Sequence, residues 1–163
     1  MYTLRRELTV RTSLEEAWSF ISRPENLNLI TPDDMKFRIL TAVPDTMYNG
    51  LLIRYSVGIP FLGSQNWLTE IRHIRDHHSF VDEQRIGPYR FWHHRHVIED
   101  TDEGIRFIDE VTYVLPFSVF GRFAHALFVR RMLTRIFDYR AEAIRNYFSP
   151  GTRSVTTAHG AHT

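Results

Sequence analysis

The stretch "GPYRFWHHRHVIED" (87–100) sets His93, His94 and His96 within four positions, next to Trp92. The ordinary pKa of an imidazole lies near neutrality, and the ring is a frequent metal ligand, so such a run is a candidate for proton transfer or ion binding. What it can do depends on where each ring points. In a strand, successive side chains face opposite sides, so His94 and His96 share a face about 6.6 Å apart along the chain, and His93 points the other way to solvent. Two histidines and a carboxylate form a ligand set for zinc or ferrous iron, and Asp109 would be the third member. His96 beside Asp109 would also be held in one tautomer with its charged form favoured, as acid–base catalysis requires, with Tyr113, Tyr55 or Arg90 assisting. The plainest alternative is a hydrogen-bonded network that sets strand register.

Turn signals supply that register. The "TDEG" loop (101–104) closes a hairpin that sets His96 opposite Asp109, His94 opposite Val111 and Trp92 opposite Tyr113. "GP" at 87–88 sets Asp82 against Trp92 and Phe80 against His94; the "RDHH" turn sets Ile71 against Phe80 and Trp67 against Gln84. Opposed residues share a face. One face therefore gathers Trp67, Phe80, Trp92 and Tyr113 with Asp82, His94, His96 and Asp109. The other gathers Arg72, Glu83, Arg85, His93, Arg95 and Glu99. The first is the more apolar and is the interior. Buried polar groups are costly unless paired, so an inner wall this polar points to a cavity whose groups meet each other, water or a ligand.

The elements that must position this wall follow from periodicity. Residues 2–11 alternate as a strand with Leu4, Leu8 and Val10 on one face. "TSLEEAWSFIS" reads as a short helix capped by Ser13 with Glu16, and "RPENLNLITP" as a second from Pro24 to Pro32. Six strand patterns follow: "MKFRILTAV", "GLLIRYSVGI", "QNWLTEIRHI", "SFVDEQRI", "YRFWHHRHVIED" and "GIRFIDEVTYVL". Residues 117–148 are helical, with Phe128, Met132, Ile136 and Phe137 on one side and Arg130, Arg131 and Arg135 on the other. Only this last helix is long enough to cover the sheet. The fold class is thus α+β: a curved seven-stranded antiparallel sheet around a long C-terminal helix, with two short helices after the first strand. Residues 1–148 form one domain, and the polar, aperiodic tail 149–163 is expected to be disordered.

Composition narrows the function. The chain has 163 residues, a net charge of +1 and no cysteine. Disulfides and thiolate chemistry are excluded, and nothing calls for nucleic acid. No signal-peptide run opens the chain and no apolar stretch reaches membrane-spanning length, so a cytoplasmic location is expected. Ser56 and Ser64 lack an evident base, and "VGIPFLG" lacks the Lys of a phosphate loop, though Gly58, Pro60 and Gly63 suit either a lid or a turn. "RFAHALFVRRMLTRIFDYR" is basic and amphipathic; its apolar side most simply closes the sheet. Within it, His125 reads as a helix residue or a polar handle, and Trp18 on the first helix as core or cavity entrance.

The opening "LEEAWSFISRPENLNLITP", the strand "GPYRFWHHRH", its partner "DEVTYVLPF" and the long last helix together resemble the START-like, birch-pollen-allergen-like (SRPBCC) superfamily. The likeness covers residues 1–148 and is greatest to small bacterial proteins of the polyketide cyclase/dehydrase or lipid-transport type. It implies a helix-grip fold with a hydrophobic-ligand cavity between sheet and helix, and no shared catalytic set. The resulting expectation is a protein that binds a small or medium hydrophobic molecule (lipid-, polyketide- or isoprenoid-like). Tyr55, Trp67, Phe80, Trp92 and Tyr113 would form the walls, and Asp82, His94, His96 and Asp109 would orient the ligand's polar end. The alternative is a cyclase or dehydratase with His96 and Asp109 as its catalytic pair. A third reading is a protein-interaction module with a filled interior. No metal or other cofactor is expected; the oligomeric state is left open.

Overall fold

The computed structural model describes residues 1–60, 62–116 and 128–149. The tail from 150, and the part of the helix expected over 117–127 with His125, lie outside them. Strand β1 (Tyr2–Val10) leads into helix α1 (Leu14–Ile21) and two 3-10 turns (Pro24–Asn28 and Asp33–Met35). Strands β2 (Arg38–Ile39), β3 (Leu52–Ile59), β4 (Gly63–Arg75), β5 (Ser79–Ile86), β6 (Phe91–Thr101) and β7 (Gly104–Val114) follow, and helix α2 (Arg130–Phe148) closes the described chain. Among the described residues no helix is long and apolar enough to cross a membrane.

The starts and stops have local causes. The Ser13 hydroxyl accepts from the Glu16 amide at 3.2 Å, and the Glu16 carboxylate accepts from the Ser13 amide at 3.2 Å, a reciprocal cap that begins α1. The second short helix is only the turn Pro24–Asn28, because the Asn26 amide reaches back to Phe20 O at 2.7 Å and folds the segment against α1. The strand expected over 35–43 shrinks to two residues. Met35 ends a 3-10 turn and Lys36 follows in a left-handed conformation (φ 45°), which breaks the alternation.

All seven strands form one antiparallel sheet in the order β1-β7-β6-β5-β4-β3-β2. The β6–β7 register matches the sequence expectation: His96 opposes Asp109, His94 opposes Val111 and Trp92 opposes Tyr113. The β5–β6 register is two residues away from it, with Asp82 opposite His94 and Phe80 opposite His96. The Gln84 side chain clasps the Tyr89 backbone (Nε2 to O 2.6 Å, Oε1 to N 3.2 Å), so the connection is wider than a "GP" turn allows. Along β4–β5, Ile71 faces Asp82 and Thr69 faces Gln84, again two residues from expectation, with irregularities at Leu68/Thr69 and Arg72/Arg75. A shift of two leaves every side chain on its own face, so the inner wall is composed as the alternation predicts.

Helix α2 lies on that wall and the core divides along it. Ile144 packs with Trp18, Phe20, Ile53, Ile71 and Phe107, whereas Met132, Leu133 and Phe137 pack with Trp67, Tyr89, Trp92 and Tyr113. Between the two halves α2 presents Arg140, which is buried. At the sheet edge, Arg6 of β1 reaches Asp138 of α2 (Nε to Oδ1 3.1 Å). His93 lies on the outer face, half-buried rather than free in solvent, its ring stacked parallel to Phe91.

The β6–β7 hairpin carries most of the polar wall and turns on Gly104, whose φ is +128° and whose added Cβ would sit 2.5 Å from Val10 O. Gly104→Ala should therefore cost about 2 kcal/mol or more, read as a lower urea midpoint at unchanged slope. A midpoint within error of the parent would contradict this account of the hairpin.

Candidate functional site

Alternation along β6 turns His94 and His96 inward, β5 contributes Asp82, β7 contributes Asp109, and α2 lowers Arg140 onto all of them. His94 lies between two carboxylates: Nδ1 is 3.1 Å from Asp82 Oδ2 and Nε2 is 2.9 Å from Asp109 Oδ1. Nε2 hydrogen-bonds Asp109 and Nδ1 lies at ion-pair distance from Asp82, so two carboxylates favour the imidazolium form of this ring. His96 differs. Its Nε2 donates to Asp82 Oδ2 at 2.8 Å, and its Nδ1 accepts from Arg140 Nη2 at 3.1 Å, which fixes a neutral ring. Its Nδ1 also lies 3.2 Å from Asp109 Oδ1 without a hydrogen bond between them. Arg140 Nε sits 3.1 Å from Asp109 Oδ2, its N–H aimed off that line, and Trp92 Nε1 donates to Asp82 Oδ1 at 3.1 Å.

The histidines are each only 4% exposed, so charge balance decides whether this cluster is tolerable. Asp82 and Asp109 are negative, His94 and Arg140 positive, and His96 neutral: the charges cancel. Burial acts against each charge, and the neighbours overrule it. Asp82 would rise with burial, yet His94 and then His96 hold it far below its ordinary 3.8. Burial would likewise raise Asp109, but Arg140 and the two imidazoles keep it well below. His94 is pushed down by burial and lifted above 6.5 by Asp82 and Asp109. His96 is pushed down by burial and by the His94 charge, and stays below 6.5 despite its carboxylate contacts. The environment thus moves two rings of one type on one strand face in opposite directions from their ordinary 6.5. The Phe80 ring stacks on His96 at 4.3 Å, and Phe137 meets His94 edge-on at 5.3 Å.

A cavity lies on each side of the cluster. The larger, about 140 Å³, is bordered by Tyr55, Trp67, Tyr89 and Trp92 from the sheet side and Met132, Leu133 and Phe137 from α2, with Asp82, His94 and Arg140 also lining it. The smaller, about 40 Å³, lies towards α1 and meets Phe80, Asp82, His96 and Arg140. Of the residues singled out from sequence, Tyr55 borders both cavities, Trp67, Trp92 and His94 the larger, Phe80 and His96 the smaller, and Asp82 both. Asp109 and Tyr113 border neither. Asp109 anchors Arg140 behind the imidazoles, and Tyr113 is packed among Tyr2, Tyr89 and Trp92.

Sequence reasoning missed Arg140 and Tyr89. Arg140 was visible as the charged member of the row Leu133, Phe137, Arg140, Ile144, which is otherwise apolar at helical spacing. Tyr89 reads as the first residue of the strand pattern 89–100, where alternation gives it the outward parity of His93; β6 begins only at Phe91, so that alternation does not reach it. Besides Arg140 Nε, two buried side-chain nitrogens find no hydrogen-bond partner among the described residues: Arg106 Nε, on the outer face, and Trp67 Nε1, on the inner wall, each at a cost of about 1–3 kcal/mol.

Asp82, His94 and His96 offer three ligand atoms within 4.8 Å of one another, a different carboxylate from the Asp109 that the sequence suggested. Their nitrogens face carboxylates or Arg140 instead, and a guanidinium 3.1 Å from His96 opposes a cation.

No model of a known protein family matches the chain, and no curated protein does. Solved structures do. A START superfamily protein from Mycobacterium smegmatis superposes with a TM-score of 0.68 at 15% identity, over 91% of this chain and 97% of its own. A protein from Chromobacterium violaceum gives 0.70 at 8% identity, over 92% of this chain and 99% of its own. The chain has the START-like, helix-grip fold.

The opposite shifts of the two rings are directly measurable. At pH 6.5, histidine NMR should show His94 mainly as the imidazolium and His96 mainly as the neutral Nε2–H tautomer. By linkage, His94 adds stability that fades as pH rises through its raised pKa, while His96 and the two aspartates add stability that fades as pH falls. Two rings titrating together near 6.5 would refute the arrangement. Arg140→Met, which strands a buried carboxylate, should cost about 3 kcal/mol. Adding Asp109→Asn should recover part of that loss in a double-mutant cycle, whereas strict additivity would mean the two side chains do not interact.

Proposed function

We propose that this protein binds a small, mostly apolar molecule in the larger chamber between sheet and α2, with the charged cluster fixing its polar end. The observation that carries this reading is an aromatic-walled space of about 140 Å³ that ends on a largely buried, charge-balanced set of polar groups. An engineered protein cavity of about 150 Å³ holds one benzene ring. The occupant is thus at the small end of the expected range, and a long lipid or multi-ring polyketide would need these walls to move. Affinity would come from apolar burial, and selectivity from not leaving the cluster or the chamber's donors unpaired.

The alternative of acid–base catalysis by His96 and Asp109 has less support. Both nitrogens of His94 and of His96 already face a protein partner, and Asp109 borders neither cavity. A catalytic imidazole must reach its substrate with a nitrogen, so one of these contacts would have to break first.

Calorimetric or NMR titration of the full chain with toluene and with 1-methylnaphthalene tests the binding reading. Toluene should saturate, and the two-ring compound should bind more weakly or not at all. Val57→Leu, which extends a side chain of the chamber wall, should weaken toluene binding without loss of fold. Failure of both compounds to bind would remove the proposal.

A further inference from the structure

The unpartnered indole of Trp67 says something about the occupant that size alone does not. Trp67 is 8% exposed and forms part of the larger chamber's wall, and its Nε1–H has no acceptor among the described residues. Trp92 on the same wall has found Asp82 for the same group. Trp67 cannot turn to do likewise. Its ring is stacked on Tyr55 at 5.8 Å, meets Trp92 edge-on at 5.2 Å and leans on Tyr89 at 5.5 Å. The cluster's charged groups are already engaged with one another: Asp82 and Asp109 with His94, and Arg140 with His96.

We infer that the occupant supplies the missing acceptor: a one-ring molecule bearing a neutral carbonyl or ether oxygen that accepts the Trp67 Nε1 hydrogen bond. The inference rests on the binding reading above and narrows it. The acceptor is neutral because the cluster's two positive and two negative charges cancel, which leaves no surplus charge at the chamber end to offset a desolvated ion. An N–H already stripped of water discriminates strongly, because a ligand without the oxygen leaves it unpaired.

Acetophenone and ethylbenzene share a carbon skeleton and differ at this oxygen. With the full chain, acetophenone should bind about tenfold more tightly and move the Trp67 indole proton resonance downfield; ethylbenzene should bind without moving it. In Trp67→Phe the preference should collapse to about twofold or less while ethylbenzene still binds. Equal affinities with an unmoved indole resonance would overturn the inference and leave the binding reading standing. Binding of neither compound would overturn both. The comparison on the unaltered protein decides the matter even if Trp67→Phe fails to fold.

Discussion

The interior of this protein depends on a balance of four buried charges. An imidazolium between two carboxylates, with a guanidinium on the second carboxylate, leaves no net charge under the helix, and the neutral His96 completes the hydrogen bonding. Take any one away and the others are left uncompensated in a medium that cannot screen them. The cluster also joins elements that are distant in sequence, since β5, β6, β7 and α2 each supply a member. It therefore fixes how the helix sits on the sheet as well as how the strands are aligned.

The same cluster sorts the interior space. On the α1 side the aliphatic and aromatic packing is nearly complete; on the other side large rings leave a chamber. A polar partition between the two prevents an apolar chain from running the length of the helix. That agrees with a compact occupant. A nitrogen committed to holding the partition is also not free to meet a substrate.

Much of the fold was legible because two rules operate locally. A four-residue loop sets one hairpin register, and strand alternation is insensitive to shifts of two, so the inner wall survives even where the β5–β6 pairing was misjudged. What escaped was side-chain bonding without a period. The Gln84 clasp on Tyr89 widens a connection that reads as a tight turn. The expected His96–Asp109 bond gives way to shorter diagonal contacts, His94 to Asp109 and His96 to Asp82, because an imidazole is long enough to reach past the residue directly opposite. Arg140 escaped for another reason: three arginines earlier on the same helix suggested a solvent face, and its apolar neighbours at helical spacing were the better guide.

The first strand ends the sheet on one side with a nine-residue edge, and such edges invite another chain to pair. Here the inward-facing Arg6 interrupts the apolar row of Leu4 and Leu8 and is tied to Asp138 on the helix. A strand from a second molecule docking there would have to seal that guanidinium away from water or tear it from its partner. The contact that fastens the helix to the sheet margin thus also discourages edge-to-edge aggregation.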